Sequence, residues 1–252
     1  MRRFLPLALL FAAPLAAAQD HAGHAAPADA AALVRAMHAR YADTWYRTLY
    51  FTQATSRLGP GDSVLVETWR EWGAMPGRLR IEMGDPAAGN GALFANDSTY
   101  IFRGGELVAA VGERNDLMTL GFDVYTQPPE VTLGVMEEDG FTLGPVRSEE
   151  WEGRPAFVFG SPETKEVWVD AERLVFVRLV EPTEQDPAVL QDIRFTDYEP
   201  LDGGWIAPTV EIWVDGQKVF WEEYSDIRTG FDADPALFDP TNWGAPAPVP
   251  GE

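Results

Sequence analysis

Residues 166–181, EVWVDAERLVFVRLVE, decide the fold. Val167, Trp168 and Val169 start one β-arm, Asp170 to Arg173 supply a tight turn, and Leu174 to Val180 form the return arm. β-Branched and aromatic residues fill both arms, which suits a pleated, half-buried surface. Along the return arm Leu174, Phe176, Arg178 and Val180 fall on one face, and Val175, Val177 and Leu179 on the other. Apolar residues in both rows predict a central strand packed on each side, or a strand with one face on an apolar cavity. An arginine inside such a cavity would be costly, so the row Val175, Val177 and Leu179 is expected to face inward.

The sequence on either side of this hairpin continues the same pattern. Upstream, the spacing predicts strands over 48–58, 64–72, 78–83, 98–103, 106–111, 141–148 and 155–159. Turns such as Gly59-Pro60-Gly61-Asp62 and Gly104-Gly105 separate several of them. Downstream, strands are predicted over 190–198, 205–214 and 218–228, with Gly203-Gly204 and Asp215-Gly216 as hairpin turns. The segment 84–91 reads as a loop. One Ala-rich stretch, 29–46, carries Leu33, Met37, Tyr41 and Trp45 at helical spacing behind Asp29, a good N-cap. Residues 113–140 lack clean alternation and are broken at Pro128-Pro129. They predict two short helices or an irregular flap, either a lid or ordinary cover for the sheet edge. About ten or eleven antiparallel strands in one sheet should curl or close. The expected fold is therefore mainly β (α+β): a strongly curved antiparallel sheet forming a half-open barrel, with the N-terminal helix and the helical or irregular lid on its concave side.

The start of the chain has the three-part layout of a secretory signal peptide over residues 1–18: Arg2 and Arg3, an apolar run from Phe4 to Leu15, and Ala16-Ala17-Ala18. The run is too short to favour an uncleaved membrane anchor. Residues 19–28 read as a flexible leader, 29–244 as one domain and the Pro-rich 245–252 as a disordered tail. The chain has no cysteine, so disulfides and a lipid-modified cysteine anchor are excluded, and the expected location is the periplasm. The formal charge is −21, or −23 without the two signal-peptide arginines (−21 − 2). That charge opposes nucleic acid and anionic headgroups.

Recognisable catalytic machinery is sparse. The three histidines, His21, His24 and His38, lie in the leader and the first helix, and no metal site or cofactor is expected. GxSxG, P-loop and HExxH motifs are absent. Acid pairs such as Glu149-Glu150 and Glu222-Glu223 are expected as solvated surface among 40 acidic residues, and no catalytic residue is assigned. Nine Trp, fourteen Phe and seven Tyr either fill a core or line a pocket. Trp69, Trp72, Trp168, Trp205, Trp213 and Trp221 cannot all share one sheet face.

The order of these elements carries a resemblance. The helix leading into 48–58, PGRLRIEM at 76–83 followed by STYIFRGGEL at 98–107, WEGRPAFVF at 151–159 before the opening hairpin, and IRFTDYEPLDGGWIAPTVEIW at 193–213 together resemble the LolA/LolB-like superfamily of periplasmic lipoprotein-sorting proteins. The resemblance implies a half-open barrel with a helical lid over an apolar cavity, non-enzymatic binding of lipid or of lipoprotein acyl chains, and a monomeric protein in transient contact with membrane components. Residues 113–140 would be the lid. Carrier members of that superfamily latch the lid with an arginine, a role not assigned to Arg57, Arg70 or Arg80. The expected cavity and lid residues are Trp69, Leu79, Ile81, Phe102, Leu117, Met118 and Leu120, then Phe122, Val131, Leu133, Met136, Val175, Val177 and Leu179. Two rival expectations are an envelope sensor that binds a protein partner on the same fold, and a secreted hydrolase using two carboxylates in a cleft.

Overall fold

The computed structural model describes residues 25–251. The signal-peptide reading and most of the leader, with His21 and His24, lie outside the described residues. Helix α1 (Ala30–Tyr41) starts where expected, and its N-cap Asp29 accepts the Ala32 N–H at 2.8 Å. It stops five residues short of the expected end. Trp45 leaves the helix to stack on Tyr125, with ring centroids 3.9 Å apart. The strands follow as β1 (Thr48–Leu58), β2 (Val64–Ala74), β3 (Arg78–Met83), β4 (Gly91–Ala95), β5 (Ser98–Arg103) and β6 (Glu106–Val111). Next come α2 (Asp116–Gly121), a single 3₁₀ turn (Asp123–Tyr125) and α3 (Pro129–Glu138). The second run of strands is β7 (Arg147–Trp151), β8 (Arg154–Gly160), β9 (Glu166–Asp170), β10 (Phe176–Pro182), β11 (Leu190–Thr196), β12 (Glu199–Leu201), β13 (Gly204–Ile206), β14 (Thr209–Val214) and β15 (Gln217–Thr229).

Thirteen strands form one sheet in the order β6-β5-β4-β3-β2-β1-β15-β14-β11-β10-β9-β8-β7, and β12 pairs with β13 apart from it. All strand pairs are antiparallel, and the first strand pairs with the last, β1 with β15. The two halves of the chain thus meet in the middle of the sheet, and β6 and β7 are left as its free edges. The sheet is strongly curved and does not close. Its concave face carries the main core with α1, α2 and α3. Every residue of β6 is exposed, with Leu107 and Val108 each more than half accessible. On the other edge, β7 is Arg-Ser-Glu-Glu-Trp.

The opening hairpin has a β-bulge between Phe176 and Arg178. The bulge brings Phe176 over Phe195 (5.0 Å between ring centroids) in the concave core, alongside Leu179. The backbone groups it leaves without ladder partners are satisfied by two tyrosines. The Phe176 N–H donates to Tyr125 Oη at 2.8 Å, and the Tyr198 hydroxyl donates to the Phe176 carbonyl at 2.5 Å. Arg178 points to the convex face, where it donates to both Asp192 oxygens at 2.6 and 2.9 Å. Its guanidinium lies 4.3 Å from the Trp151 ring and 5.0 Å from the Trp168 ring. Arg194 over Trp213 (4.6 Å) and Lys218 over Trp221 (5.0 Å) extend this cation–aromatic ladder.

Three sequence expectations are corrected. A strand not expected from the sequence, β4, runs over 91–95 and takes in Gly91 from the end of the expected loop, because Gly91 lets the strand lie against Trp243: a Cβ there would sit 2.6 Å from the indole and 2.0 Å from the Ile81 carbonyl oxygen. The strand expected at 141–148 is β7, beginning at Arg147, while Phe141 is a buried core residue that follows α3. Residues 245–251 pack on the convex face instead of being disordered. There the Ala245 and Pro248 carbonyls accept from Arg80 (2.9 Å) and Trp72 (3.0 Å), and the Ala247 N–H donates to Glu82 at 2.7 Å. Beneath this segment Arg80 and Glu82 form a buried ion pair at 2.8 Å, with Trp243 stacked on the guanidinium at 4.2 Å.

Candidate functional site

The candidate site is an open cleft of about 110 Å³ between the concave sheet and α2. Leu79 and Ile81 of β3, Phe51 of β1, Phe195 of β11 and Ile212 of β14 form its apolar wall. Leu117 and Met118 of α2, with Phe122, close it from above. Alternation builds the wall: each strand contributes every second residue to the concave face. The volume lies below the roughly 300–1,000 Å³ typical of ligand sites.

The expected site residues divide as follows. Leu79, Ile81, Leu117, Met118 and Phe122 come together in the cleft. Trp69 is on the same face, half-buried and 6.2 Å from the Phe220 ring at the cleft wall. Leu120, Leu133, Met136, Val175 and Leu179 are buried in the core beneath and between the helices, not in the cleft. Val177 lines a second, more polar cleft of about 350 Å³ with Arg154, Asp170, Arg173 and Asp197. Val131 is half exposed on α3. Phe102 does not line the cavity. It is on the convex face, stacked 4.1 Å from Trp243, because it shares sheet parity with Leu93 and Tyr100.

The cleft floor carries polar groups that the sequence reading missed. Glu71 of β2 and Glu222 of β15 both line it, on either side of β1. Glu71 is only 6% exposed. Among the described residues its carboxyl has no hydrogen bond or ion pair. Glu222 accepts the Tyr224 hydroxyl at 2.8 Å. Gln53, in β1 between them, is fully buried; its amide nitrogen donates to Thr55 at 2.7 Å and its carbonyl oxygen has no donor. Burial, reinforced by repulsion between the two acids, holds the Glu71 carboxyl well above the usual carboxylate range. Burial also raises Glu222, against the hydrogen bonds from Tyr224 and Gln53. No signal in the sequence marked it: in VLVETWREW Glu67 has the same parity as Glu71 and is exposed.

The lid, residues 113–140, is tied down around its perimeter. Arg114 bridges Asp97 (2.9 Å) at the β4–β5 turn to Glu138 (2.9 Å) and Asp139 (3.1 Å) at the end of α3. Lys165, before β9, pairs with Asp116 and donates to the Asp139 carbonyl at 2.8 Å. Asp123 accepts the Gly77 N–H at 3.0 Å on each oxygen, and Arg47 donates to the Thr126 carbonyl at 2.7 Å. Burial pushes Asp123 up to about 7, against the Gly77 hydrogen bond. None of Arg57, Arg70 and Arg80 holds the lid by a hydrogen bond or ion pair. Arg57 pairs with Glu67, and Arg80 is on the far face of the sheet.

The architecture is a thirteen-stranded half-open antiparallel barrel with helices over an apolar cleft. The particular fold is the LolA-like one. A DUF1329 family protein from Desulfovibrio piger superposes with a TM-score of 0.58 at 14% identity, covering 83% of this chain and 95% of that one. A putative outer membrane lipoprotein-sorting protein domain from Vibrio parahaemolyticus gives 0.57 at 14% identity, covering 85% and 97%. A LolA superfamily protein from Nitrosomonas europaea gives 0.54 at 11% identity, covering 82% and 97%. No protein-family model and no curated protein sequence matches the chain. Among the described residues no helix is long and apolar enough to cross a membrane.

Proposed function

We propose that this protein is a non-enzymatic periplasmic binder of an acyl-bearing amphiphile, a lipid or an acylated lipoprotein, which it holds in the cleft under α2. The observation that carries this reading is the apolar cleft between the curved sheet and a lid pinned by Arg114 and Lys165. Burying methylenes there supplies about 0.8 kcal/mol each. The modest volume means that a longer chain requires α2 to lift. The structural neighbours include a putative lipoprotein-sorting domain, which agrees with this reading at the level of fold. Native mass spectrometry of the purified protein, with and without delipidation, tests it. Co-purified lipid, or uptake of an added acyl chain that protects α2 from proteolysis, is expected. A protein that neither carries nor takes up any amphiphile would refute it.

The buried acids favour a second reading, a carboxylate-dependent hydrolase, because two acids do meet in a cleft. It ranks lower because desolvation raises both Glu71 and Glu222. A hydrolytic pair needs environments that push one acid up and leave the other ionised.

A further inference from the structure

The acids on the floor of the cleft are out of place in a site for hydrocarbon alone. Glu71 is more than nine-tenths buried, faces the cleft and has no partner among the described residues. Leaving a buried polar group unsatisfied costs stability unless a ligand completes it. Beside it stands Glu222, which accepts from the Tyr224 hydroxyl and the Gln53 amide, and the Gln53 carbonyl has no donor among the described residues. Two carboxylates therefore line the cleft under α2.

Among the described residues, no hydrogen bond or ion pair joins a cation from the other elements around the cleft to this pair. From β3, Arg78 is exposed at the mouth, with its guanidinium 5.4 Å from the Phe238 ring. From α2, the Asn115 side chain is engaged in capping its own helix. From β1, Thr55 takes the Gln53 amide. From β15, Tyr224 donates to Glu222.

We propose that the cleft takes an amphiphile bearing a primary ammonium group, held by Glu71 and Glu222 with its chain along the Leu79–Ile81 wall. This inference rests on the amphiphile reading above and specifies its ligand. An ammonium has three donors and no acceptor, which suits a site lined by two carboxylates. Charge-assisted hydrogen bonds of this kind are roughly twice as strong as neutral ones. An anionic head would bring a negative charge into a desolvated site that already holds two acids. A hydroxyl would complete a hydrogen bond without compensating charge. In the absence of a cation, desolvation disfavours ionising both acids at once, most strongly Glu71, which Glu222 also repels. The ammonium stabilises the ionised form, so binding releases a proton to solvent, and affinity rises with pH until the amine itself deprotonates near ~10.

The test is calorimetry with dodecylamine, 1-dodecanol and laurate as matched probes, each below its aggregation concentration. Titrations at pH 7.5 in two buffers of different ionisation enthalpy count the protons released. Dodecylamine is expected to bind about tenfold more tightly than dodecanol, with laurate weakest and with net proton release for the amine alone. E71Q and E222Q should each lower amine affinity about tenfold and leave dodecanol unchanged. Equal affinity for all three probes, or an amine preference that survives E71Q, overturns this inference and leaves the amphiphile reading standing. No binding of any probe overturns both. A lipopeptide with a free amino terminus and a membrane aminolipid present the same group. Loss of binding on acetylating the lipopeptide, compared with uptake from aminolipid vesicles, identifies which source the cleft takes.

Discussion

Asp123 links the lid to the β2–β3 turn, and its protonation should set how firmly the lid is held. Its carboxyl is 5% exposed, and both oxygens accept the Gly77 N–H. Burial raises it from an ordinary 3.8 to about 7. A carboxyl raised in the fold destabilises the native state once it must ionise there. The penalty is absent below the unfolded value, grows as pH rises from about 4, and is complete above about 7. The gap between 3.8 and about 7, at 1.36 kcal/mol per pH unit, is worth on the order of 4 kcal/mol. Asp123→Asn keeps an acceptor for Gly77 and cannot ionise. Urea denaturation of wild type and D123N at pH 4.5 and pH 8.5 isolates the effect, because the other raised acids are common to both proteins. D123N should be more stable by about 1 kcal/mol at pH 4.5 and by up to about 4 kcal/mol at pH 8.5. A stability difference that does not change with pH would refute the reasoning.

Two further perturbations probe the convex face and the lid. Gly91→Ala forces a methyl into the Ile81 carbonyl and the Trp243 ring; it should lose about 3 kcal/mol, or roughly 6–12 °C in Tm, and an unchanged melting curve would contradict the packing described. Lys165→Met removes the partner of Asp116 and should speed amide exchange in residues 116–138 roughly fivefold, as loss of about 1 kcal/mol of local stability implies, with no change in β1 or β15.

Where structure is set by neighbours in the chain, the sequence was readable. Strands β1, β3, β5 and β6 begin and end where alternation and the Gly-Gly turn put them, because hairpin geometry is local. Strand β4 was missed because Gly89-Asn90-Gly91 has turn chemistry, while the need for Gly91 comes from Trp243, 152 positions further along (243 − 91). Residues 245–251 were misread for the same reason: their order comes from Arg80, Glu82 and Trp72, far away in sequence. In the hairpin at 166–181, alternation was upset by a bulge that depends on Tyr125 and Tyr198 from other segments. The apolar half of the cleft followed from Leu79, Ile81, Leu117, Met118 and Phe122. The acidic half did not, because a glutamate in a strand ordinarily marks the solvent side. Only the meeting of β1 with β15 brings Glu71 and Glu222 to one floor.

The unequal edges of the open sheet limit how it can grow. Strand β6 offers bare backbone flanked by Leu107, Val108 and Val111, all about half exposed. Strand β7 carries Arg147, Glu149 and Glu150, charges of the kind that deter strand addition. If two copies pair β6 to β6 about a two-fold axis, the new ribbon ends in a β7 at each side. Both termini are then charged, and addition stops at the dimer. The half-open barrel thus ends on one side in an edge whose charges resist strand addition.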